Sequence, residues 1–256
     1  MIYFNTIKIL GINFFKGEVN EVVTLLKTGG LLVVPAAPAL TTITYDQSYY
    51  QSLLDADIII PDSGYMTLIW NCLKKDKIRR ISGLEFLVSF LNSYDIKKEG
   101  DFLVVDPKEL DASLNIKYLR SHNFTISKDA SYIAPMYKSD DVTDIILLGL
   151  IEQMKPRYVL INLGGGVQEK LGAYLKTNLS YNPAIICTGA AIAFLTGVQA
   201  KIPSWADKHY LGWLFRCFNN PNLYVPRYFK AFKLLAIMLR YGKNAPFRPF
   251  PAAILK

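Results

Sequence analysis

The sequence has 256 residues, 51% of them hydrophobic and 20% charged, with a formal net charge of +8. This length suits one fair-sized domain, or one domain with an appendage. No stretch reaches the roughly 18 to 20 apolar residues of a membrane span, and we expect no signal peptide at the start of the chain. Three widely separated cysteines predict buried thiols in a reducing cytoplasm, and two histidines argue against a histidine-based metal site.

The positive charge is concentrated near the end of the chain. Residues 201–256 contain ten lysines and arginines and a single acidic residue, Asp207, so this segment carries a net charge of +9. Residues 1–200 are close to neutral. Such a segment predicts an anionic partner. On charge alone, nucleic acid, anionic lipid and a phosphorylated substrate all qualify.

In chain order, short apolar runs alternate with longer segments whose apolar residues are spaced by three and four. The runs, which we predict to be strands, are 7–12, 30–35, 57–61, 101–106, 158–163 and 183–189. The predicted helices include 18–28, 40–54, 139–154 and 167–177. Apolar runs without alternation, separated by helices, indicate a parallel sheet covered on both faces. We therefore predict an α/β fold for residues 1–198, with a doubly wound, mainly parallel, Rossmann-like sheet.

Residues 199–256 are predicted to form a helical appendage, basic and aromatic, which we call the tail. One side of its last predicted helix is apolar, formed by Tyr228, Phe232, Leu235 and Leu239. The cations around another side are Lys230, Lys233 and Arg240. The apolar side either packs on the α/β body or lies in a membrane interface, with the cations toward lipid headgroups.

Two candidate catalytic residues follow the predicted strand at 57–61. Ligands of doubly wound sheets bind beyond the carboxyl ends of the strands, and a carboxylate at Asp62 is placed there to act as a general base. Capping of the next helix is the alternative role for this residue. Arg80 would clamp a diphosphate through its guanidinium group, or would belong to an ordinary surface charge cluster.

A glycine loop separates the run at 158–163 from the predicted helix at 167–177. Gly164, Gly165 and Gly166 stand between a strand and a helix start, which is the layout of an anion site. The spacing fails the dinucleotide fingerprint, and the segment lacks the lysine and hydroxyl residues of a P-loop. From these residues alone, a plain turn and a ligand loop remain alternatives.

Five motifs, taken in order, resemble those of one family. They are Pro61-Asp62, the segment from Arg80 to Glu85, the loop from Gly164 to Lys170, the segment with Gly189, Phe194 and Gly197, and the tail segment with Pro203, Trp205, Trp213 and Arg216. Over nearly its whole length the chain resembles the WecG/TagA/CpsF glycosyltransferases, glycosyltransferase family 26. It departs from the family pattern at Pro35 and Ala37, where that pattern has Thr and Asn, and at Glu85, where it has Asp.

The resemblance implies roles for particular residues. Asp62 and Arg80 are expected to be catalytic. The residues expected to bind substrate are Gly164, Gly165, Gln168, Glu169, Gly189, Arg216 and Arg227. Membrane docking is expected from Lys230, Lys233 and Arg240. We expect no metal site and no cofactor, and we interpret Asp55 and Asp57, which precede their strand, as a helix-to-strand turn.

The resemblance also implies a function. We expect metal-independent, inverting transfer of a sugar from a UDP-sugar to a polyprenyl-diphosphate-linked saccharide, in the synthesis of a bacterial cell-surface polysaccharide. The expected location is cytoplasmic, peripheral on the anionic inner face of the plasma membrane, with a homo-oligomer possible. A non-catalytic relative that binds a sugar nucleotide or a partner is one alternative. A nucleic-acid-binding protein is another, although no recognised nucleic-acid motif accompanies the basic tail.

Overall fold

The structure is a computed structural model that describes residues 5–93, 102–124, 126, 130–138, 142–199 and 212–247. Its strands are β1 (Thr6–Ile9), β2 (Ile12–Phe15), β3 (Gly30–Val33), β4 (Ile58–Ile59), β5 (Phe102–Asp106), β6 (Ser131–Ile133), β7 (Tyr158–Ile161) and β8 (Ala184–Cys187). The helices before the glycine loop are α1 (Val19–Leu26), α2 (Ala37–Leu40), a 3-10 helix (Thr41–Thr44), α3 (Gln47–Leu54), α4 (Gly64–Leu73), α5 (Gly83–Asn92), α6 (Glu109–Ser121) and α7 (Ile145–Met154). Those after it are α8 (Val167–Asn178), α9 (Ala191–Leu195), α10 (Gly212–Asn219), α11 (Pro221–Ala231) and α12 (Lys233–Tyr241).

Six parallel strands form the main sheet, in the order β4-β3-β8-β7-β5-β6. The predicted strands at 30–35, 57–61, 101–106, 158–163 and 183–189 are confirmed as β3, β4, β5, β7 and β8. Strand β6 was not predicted, because it has three residues, lies at the sheet edge and is only partly buried. The α/β, doubly wound fold class is confirmed.

The prediction of one strand at 7–12 is wrong. Leu10 and Gly11 both have positive φ, +54° and +79°, and reverse the chain into an antiparallel pair, β1 and β2, outside the main sheet. Two residues of positive φ give a turn whose twist matches that of the paired strands. Gly11 is required there, since an added Cβ would lie 2.3 Å from the Tyr50 hydroxyl. No turn signal stronger than this one glycine marks the reversal in the sequence.

Helices cover both faces of the sheet. One face, with Val33, Val105 and Ile161, packs against α2, α3, α4, α7, α8 and α12. The other, with Val34 and Leu160, packs against α1, α5, α6 and α9. Burial on both faces explains why the strands read as apolar runs without alternation.

The tail is attached to the body by α12. Its Leu234 and Met238 are buried in the core on the first face, and α12 packs against α4. The turn between β1 and β2 donates two backbone hydrogen bonds to the tail just after α12, from Leu10 N to the Gly242 carbonyl (2.8 Å) and from Gly11 N to the Lys243 carbonyl (3.0 Å). Among the described residues, no helix is both long and apolar enough to cross a membrane.

The packed side of α12 is not the apolar side that the sequence indicated. Phe232, Leu235 and Leu239 are exposed, whereas Leu234 and Met238 are buried. Helix α12 therefore has two apolar sides, one against the body and one against solvent.

Candidate active site

Asp62 and Arg80 lie together beyond the carboxyl end of β4. Ser63, not Asp62, caps α4, because its Oγ accepts from the Met66 N–H (3.1 Å). Asp62 Oδ1 accepts instead from the N–H of Gly83, the first residue of α5, at 2.9 Å. Arg80 Nε donates to the Asp62 carbonyl oxygen (2.7 Å), and its Nη2 lies 3.8 Å from Asp62 Oδ1. The structure thus brings together the two residues predicted to be catalytic, and both side chains are partly exposed.

The start of α5 holds this pair in place. Ser82 Oγ accepts from the Glu85 N–H (3.0 Å) and Glu85 Oε2 accepts from the Ser82 N–H (3.4 Å), a reciprocal cap of the helix. Glu85, where the family pattern has Asp, also forms an ion pair with Arg79 (2.9 Å). An added Cβ on Gly83 would lie 3.3 Å from Val34 Cγ2. A glycine therefore lets α5 begin close against the carboxyl end of β3.

The glycine loop lies at the same edge of the sheet. Gly164 and Gly165 are exposed just after β7, and Gly166 has a φ of +94°, which favours glycine. An added Cβ on Gly165 would lie 3.4 Å from Ala39 Cβ, so the loop runs beside α2. Helix α2 begins at Ala37 without a side-chain cap, at the position where the family pattern has Asn.

Gln168 and Glu169 point inward. Gln168 Oε1 accepts from the N–H of Gly189 (2.8 Å), which joins the loop after β7 to the loop after β8. Glu169 is 0% exposed, and its Oε2 accepts from the Gly166 N–H (2.6 Å). Burial raises the pKa of Glu169. Both side chains hold backbone of the glycine-rich edge, and their substrate contacts remain a prediction.

A row of three buried polar side chains crosses the centre of this edge. In the strand register, Asp106 on β5 is followed by Asn162 after β7 and Thr188 after β8, side by side. Asp106 Oδ1 accepts from Asn115 Nδ2 (2.7 Å) and from Asn162 Nδ2 (2.8 Å). Among the residues that the structure describes, three buried atoms of the row have no hydrogen-bond partner: Asp106 Oδ2, Asn162 Oδ1 and Thr188 Oγ1.

The row lies where the chain changes direction across the sheet. Strand β5 leads outward to β6, whereas β7 leads the opposite way to β8, so a topological switch point separates β5 from β7. Burial raises the pKa of Asp106 to about 6, although the hydrogen bonds from Asn162 and Asn115 oppose this rise. Neighbouring strands lie about 4.8 Å apart, so Asp106 is roughly four strand spacings away from the β4 end that carries Asp62.

The row was missed at the level of sequence. An aspartate ends the predicted strand at 101–106 just as Asp62 follows the strand at 57–61, and that signal was available. The strand register that sets Asp106 beside Asn162 is a tertiary property, and it cannot be read from the sequence pattern.

Of the tail residues predicted to act, the structure describes three fully. Lys230, Lys233 and Arg240 are exposed. Arg216 and Arg227 belong to α10 and α11, but their side chains lie outside the described part of the chain. Their contact with substrate remains a prediction.

Among the residues that the structure describes, no cluster of three or more His, Cys, Asp or Glu could hold a metal ion. Asp55 ends α3, and Asp57 Oδ2 accepts from the Leu31 N–H (2.7 Å) while Oδ1 pairs with Lys176 (2.7 Å). These carboxylates lie at the amino end of the strands, opposite to Asp62. Their interpretation as a helix-to-strand turn agrees with this geometry.

Asp62, Arg80 and the glycine loop thus lie along the carboxyl edge of one sheet. Residues 7–247 match the glycosyl transferase WecG/TagA/CpsF family. The chain belongs to this family. A curated relative is the N-acetylglucosaminyldiphosphoundecaprenol N-acetyl-beta-D-mannosaminyltransferase of Bacillus spizizenii (strain ATCC 23059 / NRRL B-14472 / W23). It is 24% identical over 233 residues, which cover 86% of this chain and 88% of the relative.

Proposed function

We propose that this glycosyltransferase moves a sugar from a UDP-sugar onto a polyprenyl-diphosphate-linked saccharide, with inversion, during synthesis of a bacterial cell-surface polysaccharide. The name of the Bacillus relative, with its undecaprenol-linked acceptor, supports the acceptor class. The observation that carries the proposal is the Asp62–Arg80 pair beyond β4, at the edge where doubly wound sheets bind ligands.

In the proposed reaction, Asp62 accepts the proton of the acceptor hydroxyl as the hydroxyl oxygen attacks the anomeric carbon. The bond from that carbon to the UDP oxygen breaks on the opposite side, so the configuration inverts and UDP leaves with its negative charge. One carboxylate base suffices for such a displacement. The Gly83 N–H and Arg80 hold the Asp62 carboxylate in one orientation. A base that is already oriented loses less conformational entropy on reaching the transition state.

Arginines are proposed to meet the charge of the leaving diphosphate. Arg80 borders Asp62 in the structure, and Arg216 and Arg227 would be supplied by the tail. A guanidinium group binds phosphate oxygens through two parallel hydrogen bonds and so stabilises charge that develops in the transition state. A metal ion is not needed in this scheme.

The direct test is a product assay with a panel of UDP-sugars and a short-chain prenyl-diphosphate N-acetylglucosamine acceptor. A product whose mass exceeds that of the acceptor by one sugar, and whose new bond has the opposite anomeric configuration by NMR, is the expected outcome. Binding of a UDP-sugar without product from any donor would favour a non-catalytic relative, the alternative suggested by Pro35 and Ala37 at the positions of the family's Thr and Asn.

Metal independence gives a separate prediction. With EDTA in place of magnesium, transfer should continue at an unchanged rate, because the charge on UDP is met by arginines in the proposed scheme. The measurement is the initial rate with EDTA and with each of magnesium and manganese. Complete loss in EDTA, restored by manganese, would contradict it.

A further inference from the structure

Helix α4 carries an exposed stripe on the α/β body. Its Met66, Thr67 and Trp70 are buried, but Leu68 is 50% exposed and Cys72 is also exposed. Residues four apart on a helix share one side, so Leu68 and Cys72 form one stripe. The body itself therefore leaves an apolar side chain in solvent next to the tail.

The stripe is continuous with the exposed apolar side of the tail. Tyr65, one turn before Leu68, makes an edge-to-face contact with Phe232 at 5.7 Å between ring centres. Phe232 contacts Phe229 at 6.2 Å, and these two tail residues are 60% and 75% exposed. Isolated exposed apolar residues are ordinary, but a contiguous patch of aromatic and aliphatic side chains indicates an interaction site.

A basic loop borders the stripe. Lys74, Lys75 and Lys77 are exposed after α4, and the one acid among them, Asp76, is paired with Lys16 at 2.6 Å. The loop is held by a hydrogen bond from Trp70 Nε1 to the Asp76 carbonyl (2.9 Å). An added Cβ on Gly242 would lie 3.9 Å from Lys74 Nζ, which brings this loop to the end of α12.

We propose that α4 and the loop 74–77 contact an anionic lipid bilayer together with the tail, as one continuous face. This inference rests on the proposed use of a lipid-linked acceptor. Apolar side chains ringed by lysines match the apolar interior and anionic headgroups of a bilayer. A second copy of the chain fits less well, because it would bring lysines against lysines.

Contact through α4 would set the reacting groups at headgroup level. Asp62 comes two residues before the start of α4 at Gly64, and Leu68 lies four residues into the helix, roughly 6 Å along its axis at about 1.5 Å per residue. The diphosphate of a polyprenyl acceptor also lies at headgroup level. The face thus brings Asp62 to the acceptor without extraction of the lipid from the bilayer.

The first experiment measures co-sedimentation with vesicles of 7:3 phosphatidylcholine to phosphatidylglycerol. In the variant Leu68→Glu/Lys75→Glu of the full chain, the partition coefficient onto these vesicles should fall by about tenfold or more. Loss of one basic residue at an anionic surface lowers partitioning about fivefold, and the two new carboxylates lower it further. The matched control is Leu110→Glu/Lys117→Glu, an exposed pair of the same types on α6, which lies on the other face of the sheet. We expect the control to bind like the parent protein.

The second experiment leaves the α4 surface intact. An environment-sensitive fluorophore is attached to Cys72 in a Cys217→Ser background, where Cys187 is buried. Addition of the same vesicles should shift emission to the blue and allow quenching by spin-labelled lipid. A fluorophore at Ser113→Cys on α6, with Cys72 and Cys217 replaced by Ser, should not respond.

The outcomes separate this inference from the proposed function. The role of α4 would be overturned, even if the tail binds lipid, by either of two results. One is equal sedimentation of the two double variants, and the other is a Cys72 fluorophore whose emission does not change when vesicles are added. Transfer to a short water-soluble acceptor tests the proposed reaction separately, and we expect it to survive Leu68→Glu/Lys75→Glu. Loss of vesicle binding with an unchanged thermal unfolding midpoint would support the inference.

Discussion

Asp62 has two partners on one carboxylate oxygen, the Gly83 N–H and the guanidinium group of Arg80. Replacement by Asn keeps the size of the side chain and the acceptor for Gly83 but removes the base. Turnover in Asp62→Asn should fall by about two to four orders of magnitude, the usual contribution of a general base, while the dissociation constant for the UDP-sugar stays the same. Initial rates and calorimetric titration measure the two quantities. If Asp62→Asn turns over at the rate of the parent protein, Asp62 is not the general base.

Asp106 gives a residue-level prediction about pH. Its folded-state pKa of about 6 exceeds the ordinary value of 3.8, so between these pH values the folded state binds more protons than the unfolded state. The free energy of unfolding should therefore fall as pH rises from about 4 to about 6, by roughly 3 kcal/mol in total. Asp106→Asn should lose this dependence, since an amide does not titrate in this pH range and its oxygen can still accept from Asn115 and Asn162.

Urea denaturation of both proteins across this pH range measures the effect. The free energy of unfolding of Asp106→Asn, minus that of the parent protein, should increase up to about pH 6 and then stay constant. The titration of all other groups is common to both proteins and drops out of this difference. A difference that is independent of pH would contradict a protonated Asp106.

At the scale of elements, the carboxyl edge depends on the bridge between the loops after β7 and β8. Gln168→Ala would leave the buried Gly189 N–H without its acceptor. We expect a loss of about 1 to 3 kcal/mol in the free energy of unfolding, measured by urea denaturation. Gln153→Ala, on the exposed side of α7, is the control and should be neutral. Unchanged stability together with a raised KM for the donor would make Gln168 a substrate ligand instead.

At the scale of the whole molecule, the tail is both packed and exposed. Truncation would remove the buried Leu234 and Met238 along with the exposed cations, so point substitutions test docking more cleanly. Lys230→Ala/Lys233→Ala/Arg240→Ala should weaken binding to anionic vesicles by about 3 kcal/mol, roughly a hundredfold, at about 1 kcal/mol per cation.

The matched control for this triple variant removes three exposed lysines of the body. Lys8, Lys108 and Lys117 are exposed, and their replacement by Ala lowers the net charge by the same amount. If both triple variants lose the same affinity for vesicles, net charge rather than the tail surface governs binding, and the docking proposal fails.

The sequence by itself determined the α/β class, the strands β3, β4, β5, β7 and β8, and the family. A strand buried on both sheet faces appears as a continuous apolar run, and the family is indicated by the order of its motifs, so both are local patterns. It also led to Asp62, since a polar residue directly after an apolar run marks a strand end, and to Arg80 through the motif from Arg80 to Glu85 that resembles the family's. Only the tertiary structure decided the pairings between distant segments. Strand register set Asp106 beside Asn162, the approach of α8 to β8 turned Gln168 inward, and the packing of α12 left Phe232 exposed against Tyr65. Each of these depends on which segments become neighbours, and spacing along one segment carries no information about that choice.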